Sequence, residues 1–211
     1  MKLHIYDHCP FCTRARMAFG LKQVPVELSI IMEGDADTPT RMIGKKAVPI
    51  LEKADGSYLG ESLDIVRYVD QQYGRPQFDG AADEQIDAWI KDAWATGLKL
   101  FIPRFTKGDF AELATPEARE AYYQREQNAF GDLAALMAAT PALLAEFAPK
   151  LDQLAPLVQH RQARDITDIL LWPVLRCLSI VKDLRFPAEV LAYARQLEAE
   201  TRIPLLFDQA M

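Results

Sequence analysis

Two cysteines three positions apart, in the motif Cys9-Pro10-Phe11-Cys12, constrain the fold of this chain more than any other feature. They follow a short apolar run, Leu3 to Tyr6, which predicts a strand, and they open a helical pattern that runs from Pro10 to Leu21. Proline suits the first helical position because its missing N–H would have had no intrahelical partner. The pattern therefore places the first thiol at a helix N-terminus and the second on the same face one turn later.

This placement predicts redox chemistry at the two thiols. A thiolate at a helix N-terminus accepts unpaired backbone N–H groups and lies at the positive end of the helix dipole. A free thiol with a pKa of about 8.5 is only about 3% ionised at pH 7, whereas one lowered to about 5.5 is almost fully thiolate. We expect Cys9 to be the exposed nucleophile and Cys12 the sheltered resolving thiol, within disulfide reach. His8, Arg14 and Arg16 add positive or titratable charge nearby.

A structural zinc site and a pair of inert core thiols are the alternatives for the motif. Zinc needs four ligands, and the other candidates, which are Cys177, His4, His8 and His160, lack the usual ligand spacing. We therefore predict no metal site. A CxxC motif beside a strand-helix-strand pattern is typical of a thioredoxin-like redox centre. Cys177 lies in an apolar helical segment, and we expect it only to pack.

Element patterns divide the chain into an α/β part and an all-helical part. Up to residue 75 the order is β-α-β-α-β-β-α, with further strands at 26–31, 48–51 and 58–59 and a last helix capped by Ser62. Beyond it only helices are predicted, approximately at 83–106, 115–138, 141–157, 166–182 and 187–201. Asp165 and Asp168 are placed to cap the fourth of these helices. We predict domains at 1–75 and 83–211, joined by a linker at 76–82.

Charge and composition exclude several classes of protein. The chain has 211 residues, is 50% hydrophobic and carries a net charge of −6. Residues 1–76 hold 10 basic and 10 acidic side chains and residues 77–211 hold 14 and 20, so the acidic excess belongs to the helical part. A general nucleic-acid binder or an anionic-membrane binder needs a basic face. Three cysteines, no bilayer-length apolar run and no secretory signal pattern predict a cytoplasmic protein.

Two further segments are candidates for substrate binding. Pro49, at the start of the third strand, fits either an edge strand or a cis-proline facing the cysteines, which would leave the Val48 backbone free to pair with an extended peptide. Glu61 and Ser62 open the last helix of the α/β part. They form either an ordinary helix cap or a site that captures the α-amino and α-carboxylate groups of a substrate.

These three motifs together resemble the glutaredoxin family. Cys9-Pro10-Phe11-Cys12, then Ala47-Val48-Pro49-Ile50, then Gly60 to Ile65 occur in the order and spacing of a glutaredoxin, most similar to the large two-domain bacterial type. The resemblance extends into the helical part, where Asp165 to Leu175 is similar to the capping-box helix of glutathione S-transferases. It implies an α/β thioredoxin-like N-terminal domain plus an all-α C-terminal domain, in a glutathione S-transferase-like architecture.

The resemblance also implies an activity and a set of site residues. A dithiol glutaredoxin is a glutathione-disulfide oxidoreductase, with Cys9 and Cys12 as the catalytic pair and glutathione as reducing co-substrate, without a tightly bound cofactor. Val48 and Pro49 would hold the cysteinyl part of glutathione, and Glu61 and Ser62 its γ-glutamyl end. Phe11 would line the site where many members carry tyrosine. The implied partners are glutathione and disulfide-containing or glutathionylated proteins, and we expect a monomer.

Two other functions fit part of the pattern. An omega-like glutathione transferase or dehydroascorbate reductase also uses a cysteine after the first strand but usually lacks the second, so Cys12 distinguishes it. An iron–sulfur-binding glutaredoxin module would hold a cluster between thiolates of two subunits, and visible absorbance after anaerobic purification would reveal it.

Overall fold

The computed structural model describes residues 1–162 and 164–211, and its first third is a four-stranded sheet with three helices. The strands are β1 (Lys2–Ile5), β2 (Glu27–Ile30), β3 (Ile50–Glu52) and β4 (Tyr58–Leu59). The helices are α1 (Pro10–Leu21), α2 (Asp37–Ile43) and α3 (Ser62–Gln72). The predicted order β-α-β-α-β-β-α is confirmed.

The sheet has the strand order β2-β1-β3-β4, with β1 in the interior. Leu3 of β1 faces Leu28 of the parallel strand β2 and Leu51 of the antiparallel strand β3. Parallel neighbours need a crossover connection, and α1 provides it between β1 and β2. The start of α1, with its two cysteines, therefore lies directly after the carboxyl end of an interior strand.

The rest of the chain is helical. It contains α4 (Glu84–Phe105), α5 (Pro116–Phe130), α6 (Leu133–Ala138), α7 (Thr140–Val158), α8 (Ile166–Leu178) and α9 (Ala188–Thr201). Short 3₁₀ helices occur at Ala111–Leu113 and Phe207–Gln209. Among the described residues, none of the helices combines the length and the apolar character needed to cross a bilayer.

One predicted helix is wrong and another is too long. The segment 115–138 is two helices, because Gly131 ends α5 with a φ of 79° and Asp132 starts a new one. The Asp132 carboxylate accepts hydrogen bonds from the N–H groups of Ala134 (2.8 Å) and Ala135 (3.1 Å). The predicted helix 166–182 ends at Leu178, four residues early.

The capping box before α8 is present as predicted. The Asp165 side chain accepts from the backbone N–H of Thr167 at 2.7 Å, and the Asp168 side chain accepts from that of Asp165 at 2.9 Å. Asp168 also accepts from the Tyr193 hydroxyl at 2.6 Å, which joins α8 to α9. The most apolar helix is thus fixed at its start by buried polar contacts.

The sheet and the helical part share one continuous apolar core. Helix α1 packs against α3 on one side and against α8 and α9 on the other. At Gly20 a β-carbon would lie 2.6 Å from the backbone oxygen of Thr201, so only glycine permits this approach of α1 to α9. The predicted boundaries at 75 and 83 remain a prediction.

Candidate active site

Cys9 lies at the N-cap of α1 and Cys12 lies one turn into the helix. Pro10 is the first helical residue. Cys9 is partly exposed, whereas Cys12 is buried, and both are free thiols. The backbone N–H of Tyr6 donates to Sγ of Cys12 at 3.4 Å. The predicted placement of the two thiols is confirmed.

The two thiols have opposite pKa shifts. The hydrogen bond from the Cys12 thiol is the main reason why the pKa of Cys9 falls to about 7, against the opposing effect of burial. The charge of His8 and the N–H groups of Cys12 and Phe11 lower it further. Burial, followed by the hydrogen bond to Cys9 and the charge of Cys9, raises the pKa of Cys12. Near neutral pH, about half of Cys9 is therefore thiolate, while Cys12 stays protonated and donates a hydrogen bond to it.

Of the three charged neighbours expected around the motif, His8 acts on Cys9 most directly. Arg16 forms an ion pair with the carboxylate of Asp7. The guanidinium of Arg14 lies over the ring of Phe11, 4.8 Å from its centroid. Phe11 itself is 42% exposed, at the rim of the site.

His8 is buried and is held by a carboxylate from the helical part. Oε1 of Glu112 accepts the backbone N–H of His8 at 2.9 Å and lies 2.6 Å from the ring Nδ1. The ring packs among four aromatic side chains, which are Tyr6, Phe105, Phe110 and Tyr122. Burial raises the pKa of Glu112, but the hydrogen bond and charge of His8 outweigh it and hold the pKa below its ordinary value.

The Val48–Pro49 peptide bond is cis. Pro49 precedes β3, which lies between β1 and β4, so the edge-strand alternative is wrong. Within the described chain, the backbone N–H and C=O of Val48 have no hydrogen-bond partner. Val48 lines the same cleft as Cys9. An extended peptide could therefore pair with Val48 beside the thiol.

Glu61 and Ser62 lie at the start of α3, but Ser62 is not the capping residue that the sequence predicted. Glu61 is at the N-cap position with a φ of 63°, and Ser62 is the first helical residue. Neither side chain caps the helix, so the prediction that Ser62 does so is wrong. The Glu61 carboxylate is exposed and accepts from Nζ of Lys45 at 2.5 Å. The first N–H groups of α3 therefore remain without a side-chain partner from the cap.

A cleft of about 350 Å³ opens beside Cys9 between the two parts of the chain. The first part contributes Tyr6, His8, Cys9, Pro10, Phe11, Lys46, Ala47 and Val48. Helices α4 and α5 contribute Trp94, Leu98, Phe101, Ile102, Phe105, Tyr122, Arg125 and Glu126. Cys12, Pro49, Glu61 and Ser62 do not line it. The structure thus brings Cys9, Phe11 and Val48 together and places Glu61 and Ser62 outside this cleft.

The helical wall of the cleft is what sequence reasoning missed. The aromatic positions Trp94, Phe101 and Phe105 follow an ordinary helical spacing, which is typical of core packing as much as of a site. Glu112 lies in a three-residue 3₁₀ helix with no motif around it. A carboxyl group between apolar residues, in Phe110 to Leu113, was the only local sign that it is buried.

Cys177, the remaining cysteine, takes no part in this chemistry. Cys177 is fully buried in the apolar core, which confirms the prediction that it packs there, and burial raises the pKa of its thiol to about 12. Among residues 1–162 and 164–211, no group of three or more His, Cys, Asp or Glu side chains is arranged to hold a metal ion.

Comparison with known families matches both parts of the chain. A profile described as "Glutaredoxin 2, C terminal domain" matches residues 85–210. A profile described as "Glutathione S-transferase, N-terminal domain" matches residues 3–77. The chain is 40% identical to Glutaredoxin 2 of Escherichia coli K12, and the alignment covers 100% of both chains.

Solved structures give the same relationship. A crystal structure of Glutaredoxin 2 from Salmonella typhimurium in complex with glutathione superposes with a TM-score of 0.96 at 40% identity, covering 100% of this chain and 98% of that one. Maleyl pyruvate isomerase, a bacterial zeta-class glutathione S-transferase, superposes with a TM-score of 0.57 at 18% identity, covering 96% and 95%. The second match shows a shared fold only.

Proposed function

This chain belongs to the glutaredoxin 2 family and is a glutathione-dependent thiol oxidoreductase, and on that premise we propose that Cys9 is its nucleophile and Cys12 its resolving thiol. The observation that carries the assignment is the contrast within one helical turn. A partly exposed thiol with a pKa of about 7 borders the cleft, and a buried thiol with a raised pKa lies behind it.

Reduction of a glutathione mixed disulfide begins at Cys9. Its thiolate attacks the glutathione sulfur, and the electron pair of the breaking S–S bond leaves with the substrate thiolate, which takes a proton from solvent. A second glutathione thiolate then attacks the glutathione sulfur bound to Cys9. That step releases glutathione disulfide and restores the Cys9 thiolate. One reduced glutathione is consumed per turnover, and the other half of the released disulfide comes from the substrate.

Reduction of a protein disulfide uses Cys12 as well. After Cys9 has formed a mixed disulfide with the substrate, Cys12 loses its proton and attacks Sγ of Cys9, which forms the Cys9–Cys12 disulfide and releases the reduced substrate. Two glutathione molecules then reduce that disulfide by two successive exchange steps and leave as glutathione disulfide. Besides burial, which is the largest cause, the hydrogen bond to Cys9 and the charge of Cys9 raise the pKa of Cys12 in the resting enzyme. Both causes vanish once Cys9 is bound in the mixed disulfide, so the resolving thiol ionises more readily when it is needed.

Glutathione would lie across the cis-proline segment and the start of α3. Its cysteinyl amide and carbonyl would pair with the free backbone of Val48 beside Pro49, with Phe11 covering the sulfur. Its γ-glutamyl carboxylate would rest on the unpaired N–H groups of α3 at Ser62, and its α-amino group on the Glu61 carboxylate. The Salmonella typhimurium relative, which was solved in complex with glutathione, supports glutathione as the ligand.

Glutathionylated proteins and proteins with accessible disulfides are the proposed partners. The acidic excess of the helical part disfavours nucleic acid and anionic membranes as partners. We place the protein in the cytoplasm as a monomer, with a thioredoxin-like domain at 1–75, a linker at 76–82 and a helical domain at 83–211.

One assay tests the thiol assignment. Reduction of a small mixed disulfide with glutathione, coupled to glutathione reductase, is measured for the wild type, Cys9→Ser and Cys12→Ser, with Cys177→Ala as the control. We expect Cys9→Ser to abolish turnover, Cys12→Ser to keep most of it but lose activity on protein disulfides, and Cys177→Ala to match the wild type. Normal turnover in Cys9→Ser would make the nucleophile assignment wrong.

A further inference from the structure

Glu112 is a fully buried carboxylate to which the redox mechanism above gives no role. It lies in the 3₁₀ helix between α4 and α5, and its exposed fraction is 0%. Its side-chain carboxylate contacts His8, which directly precedes Cys9 and lies 104 positions away from Glu112 along the chain. A buried carboxyl group is costly unless it is paired, so its presence beside the nucleophile needs an explanation.

One oxygen of Glu112 makes both contacts with His8. Oε1 accepts the His8 backbone N–H at 2.9 Å and lies 2.6 Å from Nδ1 of the ring. Oε2 is buried and has no hydrogen-bond partner in the described chain. The backbone C=O of Glu112 accepts the N–H of Glu33 at 3.0 Å, which also joins the segment after β2 to this helix.

The aromatic surroundings leave the His8 ring little freedom. The Tyr6 ring stacks on it with an interplanar angle of 11° and a centroid distance of 5.9 Å. The Tyr122 centroid is 4.7 Å away. In such an apolar setting the carboxylate is the group that can compensate a positive charge on the ring, since a buried cation is stable only with a partner.

We propose that Glu112 is a positioning residue for the reaction at Cys9: it fixes the His8 backbone and ring and thereby holds the imidazole in place next to the nucleophile. The backbone contact fixes the turn between β1 and α1, from which the Cys9 side chain projects. The ring contact fixes the orientation of the imidazole. The helical part thus influences the reaction at Cys9 through His8, and Glu112 makes no hydrogen bond to either sulfur in the described chain.

The electrostatics of Cys9 agree with this geometry. The charge of His8 is among the causes that lower the pKa of Cys9, after the hydrogen bond from Cys12. The other titratable groups that surround the ring and its carboxylate partner are Tyr6, Asp7, Cys9, Glu33 and Tyr122. Of these, neither Asp7 nor Glu33 shares a hydrogen bond with the His8 ring.

The test measures the pH profile of Cys9 alkylation in Glu112→Gln. Glutamine keeps the size and a carbonyl acceptor for the His8 N–H but removes the charge. We expect the midpoint of Cys9 alkylation to rise by roughly half a unit to one unit, and the rate at pH 7 to fall about two- to fivefold. His8→Phe fills the same aromatic site without a ring nitrogen, and it should shift the midpoint in the same direction.

The double variant and a matched control complete the design. His8→Phe combined with Glu112→Gln should shift the midpoint no further than the larger single shift, because the two residues act as one unit. Asp70→Asn removes the charge of a different buried carboxylate, which forms an ion pair with Lys22 at 2.6 Å. Lys22 follows the C-terminal end of α1, about 18 Å along the helix from its start beside Cys9. Asp70→Asn should lower thermal stability and leave the Cys9 midpoint unchanged.

The proposal rests on Cys9 being the nucleophile, and the two can fail separately. Loss of turnover in Cys9→Ser with a wild-type alkylation midpoint in Glu112→Gln would overturn only the role of Glu112. If Glu112→Gln does not fold, the midpoint of Cys9 alkylation in His8→Phe tests the proposal instead, and an unchanged midpoint overturns it. A loss of stability in either variant without a shifted midpoint would make Glu112 a structural residue only.

Discussion

Cys9 and Cys177 are two thiols in different regions of this molecule, and their pKa values move in opposite directions. Cys9 lies at the N-cap of α1, and its pKa falls to about 7. Cys177 lies inside α8, and burial raises its pKa to about 12. The chain thus contains one thiol prepared to react near neutral pH and one that stays protonated.

The difference lies in hydrogen-bond donors rather than in burial alone. Burial opposes ionisation at both positions. At Cys9 it is outweighed by the Cys12 thiol, the His8 charge and the unpaired N–H groups at the start of a helix. A cysteine within a helix has no such free N–H groups, because they are bonded to carbonyls one turn earlier. The start of the helix and the residues next to it therefore lower the pKa of Cys9 and make it the more reactive thiol.

The largest effect on this contrast is expected from Cys12→Ala. Removing the donor that contributes most to the low pKa of Cys9 should move it from about 7 towards the ordinary value of about 8.5. The iodoacetamide alkylation rate of Cys9 at pH 7 should then fall about tenfold. Cys12→Ser, which keeps a hydroxyl donor, is the matched control, and the alkylation rate of Cys9 should fall less in this variant. Equal rates in the wild type and Cys12→Ala would show that the helix start alone lowers the pKa.

The smaller effect concerns Cys177. Cys177→Ala should leave turnover unchanged and lower the free energy of unfolding by about 1–2 kcal/mol, because it removes packed atoms from a fully buried site. Cys177→Ser should cost more if its hydroxyl finds no partner. Urea denaturation measures both. A turnover defect in Cys177→Ala at full folding would contradict the assignment of Cys177 as a packing residue.

Local patterns predicted most of the fold and the nucleophile. The strand-helix alternation up to residue 72, the positions of Cys9 and Cys12 and the Asp165 capping box all depend on residues close together in sequence. The cis bond before Pro49 was one of two alternatives, and the structure was needed to choose between them. Short-range chemistry is visible in a sequence because turns, caps and helix starts use neighbouring residues.

The errors and omissions have two kinds of cause. The break between α5 and α6 was detectable, because a glycine followed by a capping aspartate is a helix end and a helix start. The pairing of Glu112 with His8 was not, because it joins residues 104 positions apart through the packing of two parts of the chain. The wall that α4 and α5 build over the cleft depends on the same packing.

The most direct test of the account is the pH dependence of alkylation at each cysteine, resolved by mass spectrometry of the native, reduced protein. Cys9 should be labelled with a midpoint near pH 7, while Cys12 and Cys177 stay unlabelled up to pH 9 because burial raises their pKa values. A Cys9 midpoint at the ordinary thiol value of about 8.5, or labelling of Cys177 in step with Cys9, would contradict it.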